Sequence, residues 1–196
     1  MIHSFWHNHG LWYLIIPNYK LNLIIMESTK EPQMKTELHE LFLEELQDIY
    51  YAENLLAKTL PEMEAAAMAE PLKKAFKLHL KETQGQIKRL EQVFELLGEK
   101  AQAKKCDAME GLVKEAKTLL KEKDASLTRD VGIIIGAQKI EHYEIAAYGS
   151  LATLAELMGH SEVKALLGEN LEEEKSTDMK LTEVALNFVN EKAAAE

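Results

Sequence analysis

Ile133-Ile-Ile-Gly-Ala-Gln-Lys-Ile-Glu-His-Tyr-Glu-Ile-Ala-Ala-Tyr148 is apolar almost all round a helical projection, yet it carries Glu141 and Glu144. A helix of that kind is buried on more than one side. The pattern predicts a long helix over 126–158, with one side facing a bundle core and another free to face a partner subunit. Glu141 falls at the centre of the inward stripe, between Gln138 and Ile145, with Glu144 to one side and His142 to the other. An ionised carboxylate taken into a core costs several kcal/mol unless a counter-charge compensates it. Glu141 and Glu144 can present two carboxylates to one centre, because residues three apart are neighbours on a helix surface.

Three further helices are legible around this one. A first runs over 36–67, with Leu38, Phe42, Ile49, Leu56, Leu60 and Met63 in three-and-four spacing. Pro61 should kink it or remove a hydrogen bond. A second follows to about residue 97, with Pro71 suited to a first helical position and Gly98 to a C-terminal cap. The last spans 161–190, after a Gly159-His160-Ser161 turn in which Ser161 is the expected N-cap. A short helix over 107–121 sits in the long connection between the second and third. Two short connections and one long one give an all-α, ferritin-like four-helix bundle whose long crossover carries the extra helix.

Each of these helices repeats the anomaly of the third. Glu53 sits in the first stripe between Ile49 and Leu56. His79 is central in the second, with Glu82 on its flank and Gln86 again central. Glu174 and Asp178 fall at the centre of the fourth, whereas Glu172 and Glu173 read as a solvated face. No Lys or Arg stands at the neighbouring stripe positions. Taken singly, His79 could be a core histidine and each acid a stripe-edge residue. Together they point to Glu53, His79, Glu82, Glu141, Glu144, Glu174 and Asp178 as ligands of two buried metal ions. Iron is the first choice for such donors, with manganese or zinc as alternatives. Six carboxylates carry six negative charges, which two trivalent ions would balance. No EF-hand loop argues for calcium, and a structural zinc site would normally show Cys or more His.

Composition bounds the rest. The chain has 196 residues, with 46% apolar and 29% charged, 9 Gly and 4 Pro, which favours an all-helical soluble domain. A formal net charge of -10 opposes nucleic-acid binding. No apolar run is long enough to span a membrane. Cys106 is the single cysteine, so there is no disulfide framework; a cytoplasmic location follows, and Cys106 itself reads as an inert loop residue. Residues 1–33 form an N-terminal extension crowded with His and aromatic residues. Its first 25 residues read as an upstream extension of the gene model or a disordered tail. The bundle occupies 34–192, and 193–196 should fray.

Five segments in order resemble the YciE/YciF family of bacterial ferritin-like proteins. They are Glu45-Leu-Gln-Asp-Ile-Tyr-Tyr-Ala-Glu53, His79-Leu-Lys-Glu-Thr83 with Gln86, Cys106-Asp-Ala-Met-Glu-Gly111, Glu141-His-Tyr-Glu-Ile-Ala-Ala-Tyr148 and Leu171-Glu-Glu-Glu-Lys175. The resemblance covers about 36–192. It implies a cytoplasmic, dimeric helical bundle with a di-metal site, associated with stress responses. If redox-active, the site would oxidise Fe(II) with oxygen or peroxide. The chain departs from the broader ferritin pattern in two places. His79-x-x-Glu82 replaces the usual Glu-x-x-His, with Gly85 where a His would follow Glu82, and Asp178 stands where rubrerythrin-like sites use a His. A rival reading is an interaction protein without redox turnover, pairing as a homodimer through the apolar back of the third long helix.

Overall fold

In a computed structural model of the chain, the structure describes residues 36–122 and 124–196, and the extension over 1–33 lies outside them. The main helices are α1 (Glu37–Ala66), α2 (Glu70–Leu96), α3 (Asp107–Glu122), α4 (Leu127–Leu157) and α5 (Ser161–Val184). The last continues through a π-helical turn, Ala185–Val189, into the short α6 (Asn190–Ala193). α1 packs on α2 and α4 on α5, α2 also lies beside α5, and α3 crosses α1 and α4. This is the ferritin-like bundle with one long crossover.

Local chemistry sets the ends. Thr36 caps α1 by accepting from the His39 N–H at 3.2 Å, and Ser126 caps α4 by accepting from Arg129 N–H at 3.0 Å. Gly98 and Gly159, which follow α2 and α4, take φ of 70° and 79°, the left-handed conformation that ends a helix most easily with glycine. α1 runs through Pro61 unbroken. Pro61 is on the exposed side, so the carbonyl deprived of its N–H donor has water in reach. α5 starts at Ser161 itself, and its cap position falls to His160, which gives no side-chain hydrogen bond. At the end of the tail expected to fray, the exposed Glu196 carboxylate accepts from the Leu127 and Thr128 N–H groups at the start of α4, at 3.0 and 3.1 Å.

The core is one cluster drawn from all the long helices, including Phe42, Leu46, Leu60, Phe76, Phe94, Ile133, Ile140 and Leu167. α4 is apolar nearly all round because α3 covers its second side. A Cβ added at Gly136 would stand 3.5 Å from the Ala116 Cβ, so the glycine lets the two helices approach closely. The crossover is tied to α1. Lys104 N–H donates to the Gln47 carbonyl at 3.1 Å, and Tyr51 donates to Glu110. Cys106 lies in the connection immediately before α3 and is buried. Its buried thiol receives the Met109 N–H at 3.2 Å at the start of α3 and lies 3.2 Å from the Tyr143 hydroxyl.

Candidate metal centre

The apolar stripes of α1, α2, α4 and α5 meet around a polar interior. α1 contributes Glu53, α2 contributes His79, Thr83 and Gln86, α4 contributes Glu141 and Glu144, and α5 contributes Glu174. All are buried, with Glu53, Glu144 and Glu174 at 0% exposure. One ligand atom from each of His79, Glu141, Glu144 and Glu174 falls within 4.8 Å of the others. His79 Nε2 stands 3.2 Å from Glu141 Oε1. Glu53 flanks this group, and its Oε1 accepts a hydrogen bond from the Tyr148 hydroxyl. Gln86 Nε2 donates to Glu174 Oε1.

The electrostatics follow from burial. Desolvation pushes the carboxyls of Glu53, Glu144 and Glu174 well above the ordinary carboxylate range, and the negative charges of their neighbours push them further. Glu141 is raised to about 8, first by burial and also by Glu53, Asp178 and Glu82. Two influences oppose this at Glu53, namely the hydrogen bond from Tyr148 and the charge of His79. Burial therefore favours the protonated form of these carboxyls in the absence of a cation, and a cation would drive protons off.

The donor set fits metal. Among the described residues, Glu53 Oε2, Glu141 Oε2, both oxygens of Glu144, Glu174 Oε2 and both nitrogens of His79 are buried without a hydrogen-bond donor, although the Glu141 and Glu174 carboxyls can share a proton with each other. Buried polar atoms are nearly always paired, so a convergent group of unpaired ones calls for a missing partner. Carboxylate oxygens and an imidazole are suitable donors for iron, manganese or zinc.

Two expected ligands stand apart from the buried group. Glu82 is 20% exposed and accepts from Lys180 Nζ at 3.2 Å and from Thr177 Oγ1 at 3.3 Å. Lys180, which lies off the buried row of α5, supplies a counter-charge to Glu82 from the rim. Asp178 is 22% exposed, accepts from Gln138 Nε2 at 3.0 Å and lies 3.3 Å from His142 Nε2. Both carboxylates border the interior, since their charges act on Glu141. Glu173, read as part of a solvated face, is paired with Arg89, which also bonds the buried Asn170. Tyr148 is a further site residue, because its buried hydroxyl donates to Glu53. The signal was its place four residues after Glu144, on the same helical face.

Comparison with known proteins agrees with this architecture. Residues 37–194 match a family model described as a domain of unknown function, DUF892. The chain is 48% identical to the protein YciF of Escherichia coli K12 over 161 residues, covering 82% of this chain and 96% of that one. The crystal structure of the E. coli stress protein YciF superposes with a TM-score of 0.77, covering 81% of this chain and 100% of the other. YcfI of Rhodopseudomonas palustris, at 42% identity, gives 0.72 over 78% of this chain and 97% of its own. A protein of Xanthomonas campestris pv. campestris at 22% identity and a TM-score of 0.62 shares the fold. With the helical bundle, the ordered motifs and these matches in agreement, the chain belongs to the DUF892 family, as its resemblance to the YciE/YciF proteins implied.

Proposed function

We propose that this protein binds two metal ions, iron foremost, inside the bundle through Glu53, His79, Glu141, Glu144 and Glu174, and that the loaded centre serves in stress defence. The observation that carries the reading is the convergence of unpaired, buried carboxylate oxygens and an unpaired imidazole from four separate helices. The E. coli relative is described as a stress protein, which supports the physiological setting. Bound iron would supply the capacity to pass electrons to oxygen or peroxide. The protein's own part is to hold the ligands, exclude water and keep apolar walls around them. Phe42, Ile49, Ile133 and Ile140, all at 1% exposure or less, belong to that apolar core.

The test is metal analysis and anaerobic Fe(II) titration of the full chain. Close to two ions per chain, lost in Glu141→Ala and Glu144→Ala variants that keep their helical content, is the expected result. No titratable metal in a correctly folded protein would overturn the reading. A second reading, a homodimeric interaction module, draws on Ile135 of α4 and Met179 of α5, which are 49% and 61% exposed. Unchanged stability with metal, together with a dimer that survives Glu141→Ala, would favour it.

A further inference from the structure

The buried carboxylates are not equivalent in the oxygens they leave free. Glu53 Oε1 is taken by the Tyr148 hydroxyl, and Glu174 Oε1 by the Gln86 side-chain amide. The second oxygen of each, Oε2, has no partner. In Glu141, Oε2 is unpaired and Oε1 lies 3.2 Å from His79 Nε2. Glu144 differs from all of them, because both of its oxygens are buried and unpaired. Both donors act across helices. Tyr148 of α4 reaches Glu53 of α1, and Gln86 of α2 reaches Glu174 of α5. The four residues are 0% exposed, so no water competes for the donors.

A hydrogen bond of this kind fixes the orientation of a ligating carboxylate and decides which oxygen points inward. If Glu53 chelated an ion with both oxygens, Oε1 would have to serve the ion and the Tyr148 hydroxyl at once, which weakens both contacts. The same holds for the Gln86 amide and Glu174. The donor draws charge from Oε1 and fixes the rotation of the carboxylate, so each donor biases its carboxylate towards coordination through the free Oε2. Glu144 is under no such restraint, and it lies within electrostatic reach of Glu53, Glu174 and Glu141 together. A carboxylate with two free oxygens, set among the others, has the form of a bridge between two ions.

Resting on the metal-binding reading, we infer that Tyr148 and Gln86 are positioning residues that confine Glu53 and Glu174 to single-oxygen ligation, and that Glu144 is the bridging carboxylate. Zn(II) alone is the probe, because it is redox-silent. Full-length wild type, Tyr148→Phe, Gln86→Leu and Glu144→Gln are compared by chelator competition and by infrared difference spectra with labelled glutamate. Single-oxygen ligation separates the two carboxylate stretches widely, whereas chelation narrows the separation. Tyr148→Phe and Gln86→Leu are expected to gain a narrow-separation band and to bind about 10–100-fold more weakly. Glu144→Gln is expected to lose one of the two ions. Tyr148→Phe and Gln86→Leu spectra and affinities that superpose on wild type would overturn the positioning roles, and two tightly held ions in Glu144→Gln would overturn the bridge. A wild type that takes up no Zn(II) would instead sink the metal reading itself. If Tyr148→Phe fails to fold, Gln86→Leu decides the positioning question alone.

Discussion

His79 Nε2 on α2 lies 3.2 Å from Glu141 Oε1 on α4, and both side chains are 2% exposed. An imidazole and a carboxyl thus meet in the interior of the bundle, where His79 makes no hydrogen bond. This arrangement makes little sense for stability alone, since apolar residues of similar volume would be cheaper to bury. It makes sense as half of a ligand set held ready for a cation.

Glu141→Gln should therefore separate stability from binding. The amide is neutral at every pH, so it avoids the desolvation that raises the Glu141 carboxyl to about 8. The metal-free variant should melt at or above the wild-type temperature. Adding Zn(II) or Mn(II) should stabilise the wild type, by about 2.7 kcal/mol at a hundredfold excess over Kd, and leave the variant unmoved. Thermal melts with and without metal check this. Equal stabilisation of both proteins would count against Glu141 as a ligand.

The pH dependence has a defined sign. In the folded, metal-free protein Glu53, Glu141, Glu144 and Glu174 all titrate above the ordinary carboxylate value of 4.5. Between 4.5 and about 8, taking Glu141 as the guide, the folded state holds more protons than the unfolded one. Stability is then fully present below the unfolded value and is lost as pH rises through the folded ones. Metal binding runs the other way, because ions displace those protons. Melting the metal-free and Zn(II)-loaded proteins across this range should show their separation widening with pH. A constant or shrinking gap would contradict the assignment of these carboxyls.

Glu82→Gln and Asp178→Asn should leave the number of bound ions unchanged. Each carboxylate is satisfied at the rim, Glu82 by Lys180 and Thr177, Asp178 by Gln138 and His142. Partly exposed pairs of this sort contribute about 0–1 kcal/mol, so stability should move little. Elemental analysis after dialysis against metal gives the count. Loss of an ion in either variant would return that residue to the ligand set.

The bundle was legible because its signals are local. Three-and-four spacing marked α1, an apolar run almost all round marked α4, and Gly98 and Gly159 marked two ends. The interior acids were legible for the same reason, since an acid at a stripe centre stands out against apolar neighbours. What spacing could not settle was helix rotation. One residue is about 100° on a helix. On α5 the inward row proves to be Asn170, Glu174, Thr177 and Leu181, which turns Asp178 towards the rim. On α2 the inward row is His79, Thr83, Gln86 and Leu90, which displaces Glu82 in the same way. Cross-helix partners such as Lys180 for Glu82 depend on how two helices are placed against each other, and no single helix carries that information.

Asp130 offers a test of the scaffold apart from the site. Its fully buried carboxylate accepts from Met68 N–H at 2.9 Å and from Ala69 N–H at 2.6 Å. α2 has no side-chain cap of its own at Ala69, so a residue of α4 supplies the acceptor that the α1–α2 turn lacks. Arg129 completes the clamp by donating to the Ala66 carbonyl at the end of α1. Asp130→Ala would strand two backbone donors that had charge-assisted bonds, at a cost of about 3 kcal/mol. Asp130→Asn keeps one acceptor oxygen and should lose roughly half as much. Urea unfolding of the metal-free protein measures both, and an Asp130→Ala loss below about 1 kcal/mol would show the turn to be held by other contacts. Asp130 lies three turns before Glu141 on α4, about 16 Å by helical rise. Ion stoichiometry should therefore survive both substitutions, so that a variant weakened in unfolding but unchanged in metal count assigns Asp130 to the frame that holds the ligands.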